Sequence, residues 1–394
     1  MAGGNTETAS RAVAKYIFAG LCASLIGIGL ARFAYTPLLP VLIEARWFSA
    51  SDTVYLGAAN LAGYLLGAML GRTIAARATN VWTLRFMMLL VAASFVACAY
   101  PLSLSWFFAW RFLSGVAGGT IMVLVTGTVL PHVPAHHRGL ASGGVFLGVG
   151  FGIVASGSLV PLLLDYGLRD TWLVLGGISF VLTAVIWFAW PRAQVAPSKT
   201  AVTSAAPRIG IVYTEYALMA AGLVPPMVFL ADFVARGLGA GPHFGSFFWV
   251  LYGIGAMIGP PLYGFMADRL GARLATRILL SVQVFVMSGL AFAENYAATG
   301  ALSVMAGTFP PGIVPLVLAW INEKVPDAAR QNVIWSRATI VFAAAQAASA
   351  YASSAIFNLS GGDHRLLFAL GAGTIFVVVL VDFVWPLLAR ASRD

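Results

Sequence analysis

Apolar residues occur along this chain in blocks of about twenty, the length that carries a helix across the hydrocarbon core of a bilayer. With no water in that core, each block must satisfy its own backbone hydrogen bonds, and a helix does this within one segment. Twelve blocks are predicted as membrane-spanning helices. The first six lie at about 13–43, 53–74, 82–101, 105–130, 140–164 and 171–190, and the second six at about 210–234, 245–267, 274–293, 297–322, 332–357 and 366–388.

The polar punctuation repeats. VPAHHR at 133–138 returns as VPDAAR at 325–330, an offset of 192 in a chain of 394 residues, and Trp190-Pro191 is answered by Trp385-Pro386. A period of this length is a domain duplication and not a solenoid. Residues 191–208, PRAQVAPSKTAVTSAAPR, read as a solvated cytoplasmic linker. The expected organisation is therefore an N-terminal six-helix bundle over 1–190, the linker, and a C-terminal six-helix bundle over 209–394.

Composition agrees: 60% apolar and 9% charged residues cannot clothe a water-soluble globule. With the N-terminus inside, 16 of the 23 Lys and Arg fall on the cytoplasmic side, 4 outside and 3 within spans, which predicts both termini to be cytoplasmic. This bias over short loops accounts for the net charge of +9 without a nucleic-acid partner. Cys22 and Cys98 fall inside predicted spans, so no disulfide framework and no metal-ligand spacing are expected. The apolar run after Arg11 and Lys15 is too long for a signal peptide and is expected to remain as the first span. No loop is long enough for a folded domain, so an enzyme is not expected, and no cofactor.

The sharpest motif is Gly264-Phe-Met-Ala-Asp268-Arg269-Leu-Gly271-Ala-Arg273, in the turn between spans eight and nine. Twelve spans in two homologous halves with this turn resemble the major facilitator superfamily of secondary transporters over the whole chain. The resemblance implies two pseudo-symmetric six-helix bundles, and it gives Asp268, with Arg269 and Arg273, the role of a cytoplasmic latch. In the first half Gly67 aligns with Gly264 and Arg72 with Arg269, which leaves Gly71 where the acid should stand. Arg138 and Arg330, each opening the helix after the repeated string, are expected at the inner gate or on lipid phosphate. Arg111-x-x-x-Gly115-x-x-x-Gly119 in span four is similar to the family motif whose Arg is linked to proton coupling; the alternative is a cation snorkelling to the outer interface beside Trp110.

Small residues recur every fourth position at Gly63, Gly67 and Gly71, and at Gly144, Gly148, Gly152 and Ser156. Such ladders let helix backbones approach closely. Similar transporters pack span two on eleven and span five on eight, with Gly255 and Gly259 suiting the span-eight side. Pro225-Pro226 and Pro310-Pro311 interrupt spans seven and ten, either as plain kinks or as gate and site elements.

Arg32 sits near the middle of span one, where an unpaired cation costs from ~3 to more than 10 kcal/mol. Its compensation is either an anionic substrate, with Tyr35 and Thr36 offering hydroxyls nearby, or an internal partner such as Glu215. The segment GLARFAYTPLLPVL resembles the first helix of the YbfB-like branch of the superfamily. Arg337 in span eleven is a second candidate cation, facing either the cavity or the cytoplasmic interface. Two cavity guanidinium groups would suit a small carboxylate, which they bind bidentately. Glu215, flanked by Tyr213 and Tyr216, is the expected proton carrier, with Tyr216 assigned to substrate. Asp232 and Asp382 are expected as solvated helix-end caps, and His132, His136 and His137 as solvent-facing.

The expected function is proton-coupled movement of a small organic anion by alternating access in a bacterial cytoplasmic membrane, the chain acting as a monomer among lipids. Export of a hydrophobic metabolite or drug is the alternative, and a non-transporting sensor on the same fold a minor one.

Overall fold

The computed structural model describes residues 2–134, 138–191, 210–325 and 328–391. Among the described residues, twelve helices are long and apolar enough to cross a membrane: α1 (Arg11–Glu44), α2 (Ala50–Arg77), α3 (Asn80–Cys98), α4 (Leu104–His132), α5 (Ala141–Leu164), α6 (Leu168–Val185), α7 (Gly210–Gly237), α8 (Pro242–Leu270), α9 (Ala272–Phe292), α10 (Tyr296–Lys324), α11 (Val333–Leu359) and α12 (His364–Asp382). Apart from Pro191, the expected linker lies outside the described residues, as do His136 and His137.

Helix starts follow local chemistry. Ser49, Thr79, Ser103 and Asn295 each accept a hydrogen bond from a backbone N–H three residues on, at 3.1, 3.1, 3.1 and 2.8 Å, which satisfies one of the orphan donors of a first turn. Ser103 and Asn295 open α4 and α10 and stand 192 residues apart, the period of the repeated string.

The bundle sorts its helices by burial. Of an apolar 18-residue stretch in each helix, 78% is buried in α4 and in α7, against 33% in α6. Large apolar side chains on the outer helices, among them Phe86, Phe180, Phe285 and Phe376, are exposed and face lipid.

Glycine decides which helices touch. A Cβ on Gly63 or Gly67 of α2 would meet the carbonyl oxygens of Phe112 and Val116 of α4 at 1.9 and 2.0 Å. The second half repeats the arrangement: a Cβ on Gly255 or Gly259 of α8 would meet the carbonyls of Val304 and Thr308 of α10 at 1.8 and 2.1 Å. These ladders therefore clamp helices within a half, and the expected partners α11 and α5 are not what they meet. The ladder of α5 behaves likewise, with Gly144, Gly148 and Gly152 against Ile17, Leu21 and Gly29 of α1. The α5–α8 contact between halves uses other residues, Gly150 against Met257 and Gly253 against Val154. Four-residue spacing marked the close contacts but not their partners.

On the face carrying residues 45–49 and 359–363, termed outer from the charge bias, the halves meet. Ala58 and Leu61 of α2 pack with Val224, Ala347 and Ala350. Tyr55 lies 6.4 Å from Tyr351 ring to ring, and Asn358 donates to Ser51 Oγ at 2.9 Å.

Candidate functional site

The first helix is broken where its chemistry is placed. A π-helical segment at Leu25–Leu30 and a short α-helical turn at Ala31–Phe33 precede the outer part, Tyr35–Glu44. Such local widening frees backbone groups and is common at functional sites. The carbonyl of Ala31 accepts from Arg111 Nη1 at 2.8 Å and from Asn60 Nδ2 at 3.4 Å, and Asn60 also donates to Ser114 Oγ at 2.9 Å. Arg111 is buried, 2% exposed, with its guanidinium 4.3 Å from the Tyr35 ring centre. It stitches α4 to the break in α1 and does not snorkel outward.

Arg32 points into the gap between the halves. It donates from Nη2 to Gln346 Oε1 of α11 at 2.8 Å, lies 4.0 Å from Met227 Sδ of α7, and sits 5.3 Å from the ring centres of Phe33 and Tyr64. Its Nε is buried and has no hydrogen-bond partner. Among the described residues no carboxylate pairs with it; the ionisable groups that bear on it are the phenols of Tyr64 and Tyr252. Tyr252 is fully buried, stacked on Trp249 at 4.7 Å, and its hydroxyl is also without a partner.

A cavity of about 40 Å³ lies at Arg32, lined by residues of both halves that include Tyr64, Tyr216, Met227, Pro311, Phe342 and Gln346. That is room for a few waters and too little for an organic molecule, so the halves must part before one enters. Pro310 and Pro311 both line this cavity, but they do not interrupt α10, which runs as one helix from Tyr296 to Lys324; of the two proline pairs only Pro225-Pro226 adjoins an interruption, at Leu223 of α7. Tyr216 faces it too, its ring 4.4 Å from that of Phe342.

Other sequence candidates lie elsewhere. Tyr35 donates to the Thr53 carbonyl at 2.6 Å, and Thr36 donates to the Met227 carbonyl at 2.8 Å. Both hydroxyls are engaged in the protein, and Thr36 fastens α1 to α7 across the halves. Arg337 is exposed and does not line the cavity. Glu215 reaches neither Arg32 nor the cavity; it faces Asp382, with Arg273 and Arg277 alongside. About 100° of helical rotation separates the two neighbours, so Tyr216 points inward while Glu215 points at α12 and α9.

The motif turn also differs from expectation. Asp268 is exposed, and Arg269 lies over the Phe265 ring at 4.9 Å. Arg273 pairs instead with Asp382 Oδ1 at 2.6 Å, and Arg277 pairs with Asp382 Oδ2. Glu323 caps the start of α9 by accepting from Ala272 N at 2.9 Å. The glycine contacts set the repeat register at 192, which aligns Ala76 with Asp268 and Arg77 with Arg269. The acid missing from the first half is therefore at Ala76; Gly71 packs against Thr120 of α4. Arg330 opens the helix of α11 half-buried, and the side chain of Arg138 lies outside the described residues.

The two acids expected as solvated caps are both buried. Asp382 is 3% exposed and bound as above. Asp232 is fully buried; its two oxygens accept from Arg236 Nε and Nη2, both at 2.5 Å, and His364 Nε2 lies 2.7 Å from Oδ2. His132, half-buried, stands edge-on to Tyr16 at 5.4 Å. Gln346, the direct partner of Arg32, carries no sequence signal, being a lone amide in an alanine-rich helix with no motif around it.

The fold is similar to the crystal structure of a D-xylose-proton symporter, with a TM-score of 0.72, 16% sequence identity and coverage of 94% of this chain and 96% of that one. Over 180 residues the chain is 24% identical to the 4-hydroxybenzoate transporter PcaK of Acinetobacter baylyi, a match spanning 45% of this chain and only 39% of that relative's length. Residues 24–383 match the family model described as "Uncharacterised MFS-type transporter YbfB". With twelve helices of membrane-spanning length in two related bundles and this match over most of its length, the protein belongs to the YbfB family of major facilitator transporters and is a multi-pass membrane protein.

Proposed function

We propose that the protein moves a small aromatic carboxylate across a bacterial cytoplasmic membrane by alternating access, with Arg32 as the anion-binding residue and proton movement driving the cycle. The observation that carries this is the half-buried Arg32, whose guanidinium is held by a neutral amide while its buried Nε–H is unpartnered and no acid pairs with it among the described residues. A carboxylate would supply the missing charge and accept from the fork bidentately. The aromatic lining of the cavity suits a ring on the same ligand. The partial match to a transporter of 4-hydroxybenzoate, itself an aromatic acid, points the same way.

The test is a thermal-shift screen of purified protein with 4-hydroxybenzoate, benzoate, acetate and succinate, followed by counterflow in proteoliposomes. Ligands of the native state raise its apparent stability. Aromatic acids should raise Tm in the native protein, Arg32→Lys should weaken the effect, and Arg32→Ala should abolish both shift and counterflow. Shifts by aromatic acids that survive Arg32→Ala would refute the assignment.

The Met and aromatic lining also favours a second reading, export of an uncharged hydrophobic compound. It predicts shifts with amphipathic drugs that Arg32→Ala leaves intact, and sensitivity to a toxicant when the protein is removed.

A further inference from the structure

The cluster of Asp232, Arg236 and His364 lies at the outer end of α7, beyond Met227 of the Arg32 cavity on the same helix, and none of the three residues lines that cavity. Asp232 and Arg236 are both on α7, and His364 is the first residue of α12. His364 is 7% exposed and ringed by Phe357, Phe233 and Phe229 at 4.9, 5.8 and 6.4 Å between ring centres. Only Arg236, 30% exposed, leads from this box toward solvent.

The charges balance while the imidazole is neutral. Asp232 and Arg236 cancel, and His364 donates its Nε2–H to Asp232. That bond leaves Nδ1 as the position where the ring takes a second proton. An added proton leaves one net positive charge in an aromatic box, which is stabilised when the site hydrates.

The cluster also sits at a local widening of α7. A π-helical segment, Phe233–Gly237, follows Asp232 directly, and a Cβ on its last residue, Gly237, would come within 3.2 Å of His364 Nδ1, so backbone faces the ring there. The same helix makes the outer closure: Thr36 donates to the Met227 carbonyl, and Val224 packs with Ala58 and Ala347 across the halves. Other charged groups at this end are turned elsewhere. Arg365 lies 4.0 Å from Glu294 and donates to the Ala293 carbonyl, Asp363 accepts from Leu366 N, and Glu44 and His243 are exposed. From α8, α11 and α1, no acid or base makes a hydrogen bond or ion pair to the ring among the described residues.

We infer that Asp232, Arg236 and His364 form an outward proton-binding site in which protonation of His364 releases the outer end of α7 and opens the substrate path from that side. The inference rests on the alternating-access reading above. By linkage, a proton that favours the outward-open state is itself bound more tightly there, which ties proton entry to substrate entry from the same face.

The test measures the outer gate without substrate. Spin labels on Ala45→Cys and Leu359→Cys, both exposed on the outer face, report the distance between the halves from pH 8 to pH 5.5; the native Cys22 and Cys98 are buried. The native protein should gain a longer-distance population on acidification, the open-to-closed ratio changing at most roughly tenfold per pH unit for one proton. His364→Gln, which can still donate to Asp232, should hold the short distance at every pH, and His364→Lys should show the long one at every pH. His243→Gln should respond as the native protein does. A native distribution that ignores pH, a pH response that persists in His364→Gln, or one that vanishes in His243→Gln would each overturn the inference. Since no anion enters the measurement, failure here leaves the substrate reading standing, and a failed anion screen leaves this result standing.

Discussion

In the first half, α2 and α4 meet through Gly63, Gly67, Gly115 and Gly119; in the second, α8 and α10 meet through Gly255, Gly259 and Gly307. The contact partners repeat at the same offset: Phe112, Val116 and Asn60 in one half, Val304, Thr308 and Tyr252 in the other. Charge does not repeat. The first half buries Arg111 and brings Arg32 to the cavity, with its described acids Glu44, Asp52, Asp165 and Asp170 at exposed or half-exposed positions. The second half buries Asp232 and Asp382, each held by two basic side chains. Arg85 and Arg277 show the divergence at one repeat position. Arg277 pairs with Asp382 of α12, whereas Arg85 lies between the rings of Trp82 and Trp187, 4.9 and 4.7 Å from their centres, and donates to the Trp187 carbonyl just beyond α6. Backbone packing tolerates no drift because a Cβ has nowhere to go, while charge can be redistributed once each buried group has a partner.

The largest effect should come from breaking the shared scaffold. Gly63→Val and Gly255→Val each drive a side chain into a carbonyl of the neighbouring helix. Neither should yield monodisperse protein, overpacking here costing ~3 kcal/mol or more. Gly127→Ala and Gly373→Ala, whose Cβ would meet open space, should leave Tm unchanged. Size-exclusion profiles and thermal melts decide this, and tolerance in one half alone would end the equivalence.

Charge removal sharpens the contrast next. Asp382→Asn leaves Arg273 and Arg277 without their acid and should cost about 2–3 kcal/mol, less than a fully buried pair because both arginines keep some solvent contact. Arg85→Gln, at the matching position, gives up a cation–aromatic stack and should cost about 1 kcal/mol. Equal losses in denaturant titration would mean that the two sites are one design after all.

Within the first half, Arg111→Ala orphans the Ala31 carbonyl from its charged donor and should cost about 2 kcal/mol, with little change in anion specificity. Arg32→Ala should do the reverse, sparing stability and removing the anion response. The smallest effect belongs to Thr36→Val, which loses one bond across the halves, worth ~1 kcal/mol. It should show as faster labelling of a cysteine placed at Ala58, with no change in Tm beyond a few degrees.

Much of this architecture was legible in the chain. Block length predicted the twelve helices, and four-residue glycine spacing marked the close contacts. Arg32 stood out because a cation in a hydrophobic span demands an explanation. Helical phase misled at neighbouring positions: Tyr216 faces the cavity and Glu215 does not, a difference of 100° that depends on how α7 is turned. Tyr35 and Thr36 looked available, but their hydroxyls go to carbonyls of Thr53 and Met227 that only the assembled bundle brings near. Asp232 and Asp382 looked solvated by position, whereas their partners His364, Arg273 and Arg277 come from helices far along the chain.

The sequence by itself determined the membrane helices, their duplication and the presence of a central arginine, because hydrophobic length, repeat period and the cost of a buried charge are properties of local sequence. Tertiary structure alone decided that Gln346 holds Arg32, that Arg111 braces the break in α1, and that the two buried acids belong to clusters at opposite ends of the second half. Partner choice among buried polar groups depends on helix rotation and register across residues separated by up to 314 positions, and no local pattern encodes that.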